Sequence, residues 1–250
     1  MWTFFHKMAS PPHFFRVAKT LIPWLAIPGY ALLAYGVFAG LFLAPADYQQ
    51  KDAFRIIYVH VPAAYLSMMA YMIMAIAGGI GLIWRMKLAH AVAASAAPIG
   101  VTFTFLALAT GSIWGRPMWG TWWEWGDPRL MSELILLFLY IGYIALRSAI
   151  DDTAKADKAS AVLALVGAIN VPIIHFSVEW WSSLHQGPTL VREGGPAMDP
   201  AMLYPLLAMI FGSSLVFGSM LLRRIRAEVL RRERRTRWVK ELVLSPGGRR

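Results

Sequence analysis

Two histidines and a dense group of tryptophans stand out from an otherwise apolar chain. His60 lies in Tyr58-Val-His-Val-Pro62, and His185 lies in Trp180-Trp-Ser-Ser-Leu-His-Gln-Gly-Pro188. Between them runs Trp119-Gly-Thr-Trp-Trp-Glu-Trp125. Seven of the eleven tryptophans gather in or beside these stretches: Trp114, Trp119, Trp122, Trp123, Trp125, Trp180 and Trp181. Indole rings favour stacked or edge contacts with another ring system. Neutral imidazole ligates haem iron well, and one imidazole can approach from each face. The combination describes a platform for a large planar ligand whose iron is held by His60 and His185. The plainer alternative is an interfacial aromatic belt beside ordinary surface histidines. A belt accounts for one or two tryptophans per helix end, and less readily for four within one seven-residue loop.

The elements that must position these residues are membrane helices. Apolar residues make up 58% of the 250 and charged residues only 15%, against about a quarter charged in a soluble domain. A spanning helix needs roughly 20 mostly apolar residues, and six blocks qualify. They run from about Leu21 to Leu43, Val59 to Trp84, Ala91 to Trp114, Leu130 to Leu146, Ala159 to Val178 and Met202 to Leu222. In lipid the backbone must satisfy its own hydrogen bonds, so each block is expected to be a helix and the fold an all-α integral membrane protein. Residues 1–222 then form one six-helix domain, and 223–250 a basic tail. The amino terminus lacks the features of a cleaved signal peptide, so the first block is expected to be a retained span.

Lysine and arginine orient the bundle. Nineteen of the 24 fall at the amino terminus, in the loops after spans two and four, or in the tail. Lys51, Arg55, Arg116, Arg129 and Arg192 remain for the other side. The positive-inside rule places both termini in the cytoplasm and the tryptophan-rich loop on the opposite, outward side. The net charge of +10 is concentrated in the tail, and is read as attraction to anionic membrane lipid rather than to nucleic acid.

On the outward side, Arg55 and Arg129 have the planar fork that pairs with carboxylates such as haem propionates. Helix-end anchoring is the other reading of both. Pro117, Gly126 and Pro128 imply a shaped loop. His6, His13 and His90 fall on the inward side. His175 and Asn170, inside span five, are expected to face the bundle interior and bond a neighbouring helix. The chain has no cysteine, which excludes disulfides, thiolate-held haem, iron–sulfur clusters and the thioether attachment motif within it. It also lacks a phosphate-cradling glycine loop.

The run Pro117-Met-Trp-Gly-Thr-Trp-Trp-Glu-Trp-Gly-Asp-Pro-Arg-Leu130 resembles the tryptophan-rich signature of haem-handling membrane proteins, most closely the CcmC family of cytochrome c maturation. Tyr58-Val-His-Val-Pro-Ala-Ala-Tyr65, Asn170-Val-Pro-Ile-Ile-His-Phe-Ser-Val-Glu-Trp-Trp181 and Leu184-His-Gln-Gly187 carry the same likeness. The resemblance implies haem b at the periplasmic surface, with His60 and His185 as axial ligands. It further implies Trp119, Trp122, Trp123, Trp125 and Asp127 as the contacting surface. It implies presentation of haem to the haem chaperone CcmE for covalent attachment, and partnership with the ABC-type subunits CcmA and CcmB and the small membrane subunit CcmD. This is presentation rather than conventional enzyme chemistry. In the family, aspartate directly follows the last tryptophan, whereas here Gly126 intervenes. Glycine's free backbone is expected either to displace Asp127 or to loop it back into place.

Two other functions are weighed against this one. A haem lyase of the same superfamily would be much longer, with further histidines inside its spans. A haem or small-molecule permease would need broken helices or polar groups near mid-membrane. In spans one to four, Pro62 and Pro98 are the main expected breaks.

Overall fold

The apolar blocks fold as six helical segments long and apolar enough to cross a membrane. The computed structural model describes residues 10–185, 195 and 198–244. His6, Lys7, Gln186, Gly187, Pro188, Arg192, Arg249 and Arg250 lie outside the described residues. Helix α1 is Pro11–Phe38 and runs into a π-helical turn, Ala39–Leu43. A short 3₁₀ turn, Asp52–Ile56, leads into α2, Ile57–Trp84. Then follow α3, Lys87–Trp119; α4, Pro128–Ala149; α5, Thr153–Gly167; α6, Asn170–Trp180; α7, Pro200–Arg232; and α8, Arg237–Leu244. The all-α expectation holds, with α5 and α6 together making one span.

The helices extend beyond the apolar blocks because their ends are capped by polar residues. Asp127, Asp152 and Asp199 each accept backbone N–H groups at the starts of α4, α5 and α7. Those first-turn donors have no partner inside the helix, so a carboxylate there fixes the starting point. Pro128 and Pro200 occupy the first helical position of α4 and α7, where no N–H is needed. The last span continues without a break past Leu222 to Arg232.

The helix breaks differ from expectation. Pro62 and Pro98 sit inside continuous helices. The interruption falls in span five, between Gly167 and Asn170. The inward face of α5, at Ser160, Ala164 and Gly167, continues across that break at the same three- and four-residue spacing. Val171, Ile174 and Ser177, spaced three apart, face inward on α6, so His175 points outward and is exposed. Its ring meets Phe176 edge-on, with centroids 4.7 Å apart. The inward expectation is therefore corrected for His175. It holds for Asn170, which is buried and donates to the Ser132 carbonyl at 2.8 Å.

The core is formed by α2 to α7 around Leu66, Met74, Leu136, Tyr71 and Tyr140. Tyr71 and Tyr140 meet edge-on at 5.0 Å. Helix α1 docks on α7 through small residues. A Cβ on Gly212 would stand 3.0 Å from the Leu33 amide nitrogen, and one on Gly29 would stand 2.9 Å from a Val216 methyl. Close backbone approach of this kind is how helices associate where lipid provides no hydrophobic drive.

The end of the bundle opposite the tryptophans is tied by charge. Asp157 on α5 accepts from Arg147 of α4 at 2.5 Å and from Arg232 of α7 at 2.8 and 2.9 Å. Glu228 accepts from Arg232 at 2.7 Å and from Arg231 at 2.8 Å. One buried carboxylate thus joins three spans. Removing one member of a buried pair leaves its partner charged and uncompensated, at a cost of about 3 to 5 kcal/mol. Asp157→Ala is expected to lose about 3 kcal/mol, read as a lower midpoint of thermal unfolding in detergent. An unchanged midpoint contradicts the clamp.

Candidate functional site

The tryptophan-rich loop is shaped by local backbone chemistry. Helix α3 ends at Gly120, whose φ of 79° is left-handed, a conformation that suits glycine. The Arg116 guanidinium donates to the Gly120 carbonyl. Ser112 then donates to the Trp122 carbonyl at 2.7 Å, folding the loop back on α3. Thr121 donates to the Trp123 carbonyl at 2.9 Å. The result leaves Trp122 and Trp125 exposed, at 56% and 72%. Trp123 is partly covered and meets Trp125 edge-on at 5.7 Å. Its indole N–H is buried, with no hydrogen-bond partner among the described residues.

Gly126 does not displace the aspartate. Its φ is not positive, and the Asp127 amide donates to the Glu124 carbonyl at 3.2 Å in an ordinary turn. Asp127 is looped back and buried, at 2% exposure. One carboxylate oxygen caps α4 by accepting from the Arg129 and Leu130 amides, both at 3.0 Å. The other accepts from the Ser183 hydroxyl at 2.7 Å and the Leu184 amide at 2.9 Å. The capping oxygen also lies 3.3 Å from His185 Nδ1. Asp127 therefore fastens the loop after α6 to the start of α4. Burial raises the Asp127 carboxyl, but hydrogen bonds from His185, the Leu130 amide, Ser183 and the Leu184 amide outweigh it. They hold the group well below the ordinary carboxylate range.

The histidines each meet one tryptophan. His60 is near the start of α2, with Trp114 edge-on at 5.6 Å. His185 has Trp119 edge-on at 4.9 Å. His60 lies within electrostatic reach of both His185 and Arg129. Trp114 is anchored by its indole N–H, which donates to Gln50 at 2.9 Å. Beyond the expected residues, Thr110 stands 3.0 Å from His60 Nδ1, and Ser183 Oγ stands 3.3 Å from His185 Nδ1. Trp180 and Trp181 are exposed, and Phe176 stacks on Trp180 at 5.3 Å.

The two arginines are engaged with protein. Arg129 Nε donates to Ser177 at 3.1 Å, and its Nη2 donates to the His175 carbonyl at 3.1 Å, bracing α4 against the end of α6. Arg55 Nη1 donates to the Gly40 carbonyl at 2.7 Å, and its Nε pairs with Asp52 at 3.0 Å. The structure thus gathers His60, Trp114, Trp119, Asp127, Arg129 and His185 at one end of the bundle. It sets Arg55 at the close of span one, on the carbonyl there. Among the described residues no group of three or more His, Asp or Glu forms a bare-metal site.

The family model described as "CcmC: Heme exporter protein C" matches residues 4–240. Heme exporter protein C of Escherichia coli (strain K12) is 51% identical over 247 residues, 99% of this chain and 99% of that one. Heme exporter protein C of Bradyrhizobium diazoefficiens is 50% identical over 229 residues, 92% of this chain and 86% of its own. That of Rhodobacter capsulatus is 38% identical over 224 residues, covering 89% and 92%.

Asp127 carries a pH signature. Its native pKa is depressed, so its contribution to stability is full above the ordinary value of 3.8. That contribution is lost as pH falls toward the native value. Asp127→Asn is expected to be less stable by roughly 2 kcal/mol at neutral pH, the scale of hydrogen bonds to a charged group. The gap between variant and wild type should persist down to about pH 5 and narrow progressively as pH falls below about 4. Paired thermal melts across that range check it, and a gap independent of pH contradicts it.

Proposed function

This chain belongs to the heme exporter protein C family, and from that membership we infer that it holds haem b between His60 and His185 and presents it to CcmE. Membership assigns it a role in haem handling for cytochrome c maturation, as a multi-pass membrane protein. The finer reading is that haem lies at the periplasmic surface, over Trp114, Trp119, Trp122, Trp123 and Trp125. Both termini are then cytoplasmic, residues 1–222 form the membrane domain, and the tail 223–250 offers anionic lipid the basic side chains that the Asp157 and Glu228 pairs leave over. CcmA, CcmB and CcmD are the partners in an ABC-type complex, with ATP hydrolysis in a partner subunit.

The observation that carries the reading is the seat of His185. A carboxylate can only accept, so in the neutral ring the Asp127 contact puts the hydrogen on His185 Nδ1 and leaves Nε2 with its lone pair. That is the form in which imidazole ligates iron, with a carboxylate behind it raising ligand basicity. Trp119 holds the His185 ring and Trp114 the His60 ring, each by an edge contact. The residues present therefore suit two-histidine ligation. Exposed Trp122 and Trp125 offer apolar faces at the rim. Arg129 and Arg55 are the cations for propionates, and for Arg129 this adds to its bracing of α6. Haem itself supplies the chemistry of the later attachment, while this chain binds, orients and keeps one edge accessible.

The test is the absorption spectrum of the purified full-length protein after titration with hemin, for wild type, His60→Ala and His185→Ala. A low-spin Soret band in wild type, weakened or shifted in each variant, is expected. A wild type without a band after added hemin overturns the reading.

A further inference from the structure

Thr110 is the buried residue behind His60. It lies on α3, one turn before Trp114, and its Oγ1 is 3.0 Å from His60 Nδ1. The same oxygen is 2.7 Å from the Leu106 carbonyl and 3.3 Å from the Ala107 carbonyl. A threonine hydroxyl has one proton to give, and a carbonyl can only accept. The shortest contact takes that proton, so the hydroxyl donates to Leu106 and turns a lone pair toward His60. A neutral imidazole facing that lone pair must carry its hydrogen on Nδ1, which leaves Nε2 unprotonated.

The surroundings hold the ring in this seat. A Cβ on Gly111 would stand 3.1 Å from His60 Cε1, so the imidazole lies directly against the α3 backbone. Trp114 closes the next turn with its ring at 74° to the imidazole. Thr110, Gly111 and Trp114 thus form a socket on one helix face, with the hydroxyl and the nearby Ala107 carbonyl as its polar contacts.

The two histidines have unequal supports. Behind His185 stands the Asp127 carboxylate, an anion. Behind His60 stands a neutral hydroxyl whose proton is already committed. A charged acceptor draws the Nδ1 proton more strongly and makes the imidazole the better donor. We propose that Thr110 is a positioning residue that holds His60 with Nε2 available to haem iron. Its neutral hydroxyl, against the carboxylate behind His185, makes His60 the weaker ligand and the first to be released. This rests on the two-histidine ligation argued above, and it gives that site an order: His185 would hold the group while His60 lets go.

The experiment uses full-length protein in detergent, with hemin as ligand and carbon monoxide as probe of the dithionite-reduced form. Thr110→Val keeps the shape and removes the hydroxyl, whereas Thr110→Ser keeps the hydroxyl. Helical circular dichroism and gel filtration establish that both fold. Thr110→Val is expected to bind hemin about tenfold more weakly and to lose part of its low-spin spectrum, while Thr110→Ser stays near wild type. Carbon monoxide should displace His60, so the wild-type adduct should match that of His60→Ala in spectrum and dissociation rate, and differ from that of His185→Ala. Wild-type affinity and spectrum in Thr110→Val overturn the positioning role, as does a Thr110→Ser protein that behaves like Thr110→Val. A wild-type adduct matching His185→Ala instead overturns the order of release. A wild type with no low-spin signal removes the ligation itself, a failure distinct from the others because they all require that signal.

Discussion

Most of what is ordered at the tryptophan end depends on one carboxylate. Asp127 is nearly inaccessible to solvent, and a buried carboxylate without partners is strongly disfavoured. Here it gathers two amides at the start of α4, one amide and one hydroxyl from the loop after α6, and the His185 ring. The two amides at the start of α4 have no partner inside the helix without it. The same atoms therefore start a helix, close a loop and orient an imidazole. The position of His185 thus follows from where α4 begins.

That arrangement is steady only because the helices beneath it are. Small residues let α1 lie close on α7, and Arg129 braces α4 on α6 by donating to Ser177 and to helix-end carbonyls. At the far end, Asp157 joins α4, α5 and α7 through two arginines. The ends of the bundle are consequently different in kind. One is locked by paired charges. The other carries exposed aromatic faces and leaves Trp122 and Trp125 uncovered. Exposed aromatic faces of this kind suit a flat, largely apolar ligand.

Much of this was legible from residue types. Six apolar blocks become six spans, because a backbone in lipid must form its own hydrogen bonds. Asn170 faces a neighbouring helix as expected of an amide in an apolar span. The likeness carried by the tryptophan signature and its flanking histidines agrees with the match over residues 4–240. Other features were not legible. His175 was expected inside, but on α6 it falls beside the inward face of Val171, Ile174 and Ser177 and not on it. Gly126 left two outcomes open for Asp127, and the turn from Glu124 settled the matter in favour of return.

The sequence by itself determined the class of the molecule, the number of its spans and the chemical types gathered beside the tryptophan loop. These depend on composition and on runs of neighbouring residues. The tertiary structure alone decided which oxygen stands behind each histidine. Thr110 is separated from His60 by 50 residues, and Asp127 from Leu184 by 57. Nothing in a threonine or an aspartate announces such a partner. Only the packing of α3 on α2, and of the last loop on α4, brings a hydroxyl to one imidazole and a carboxylate to the other. A hydrogen bond requires contact within about 3 Å, a distance that helix packing sets and local sequence does not.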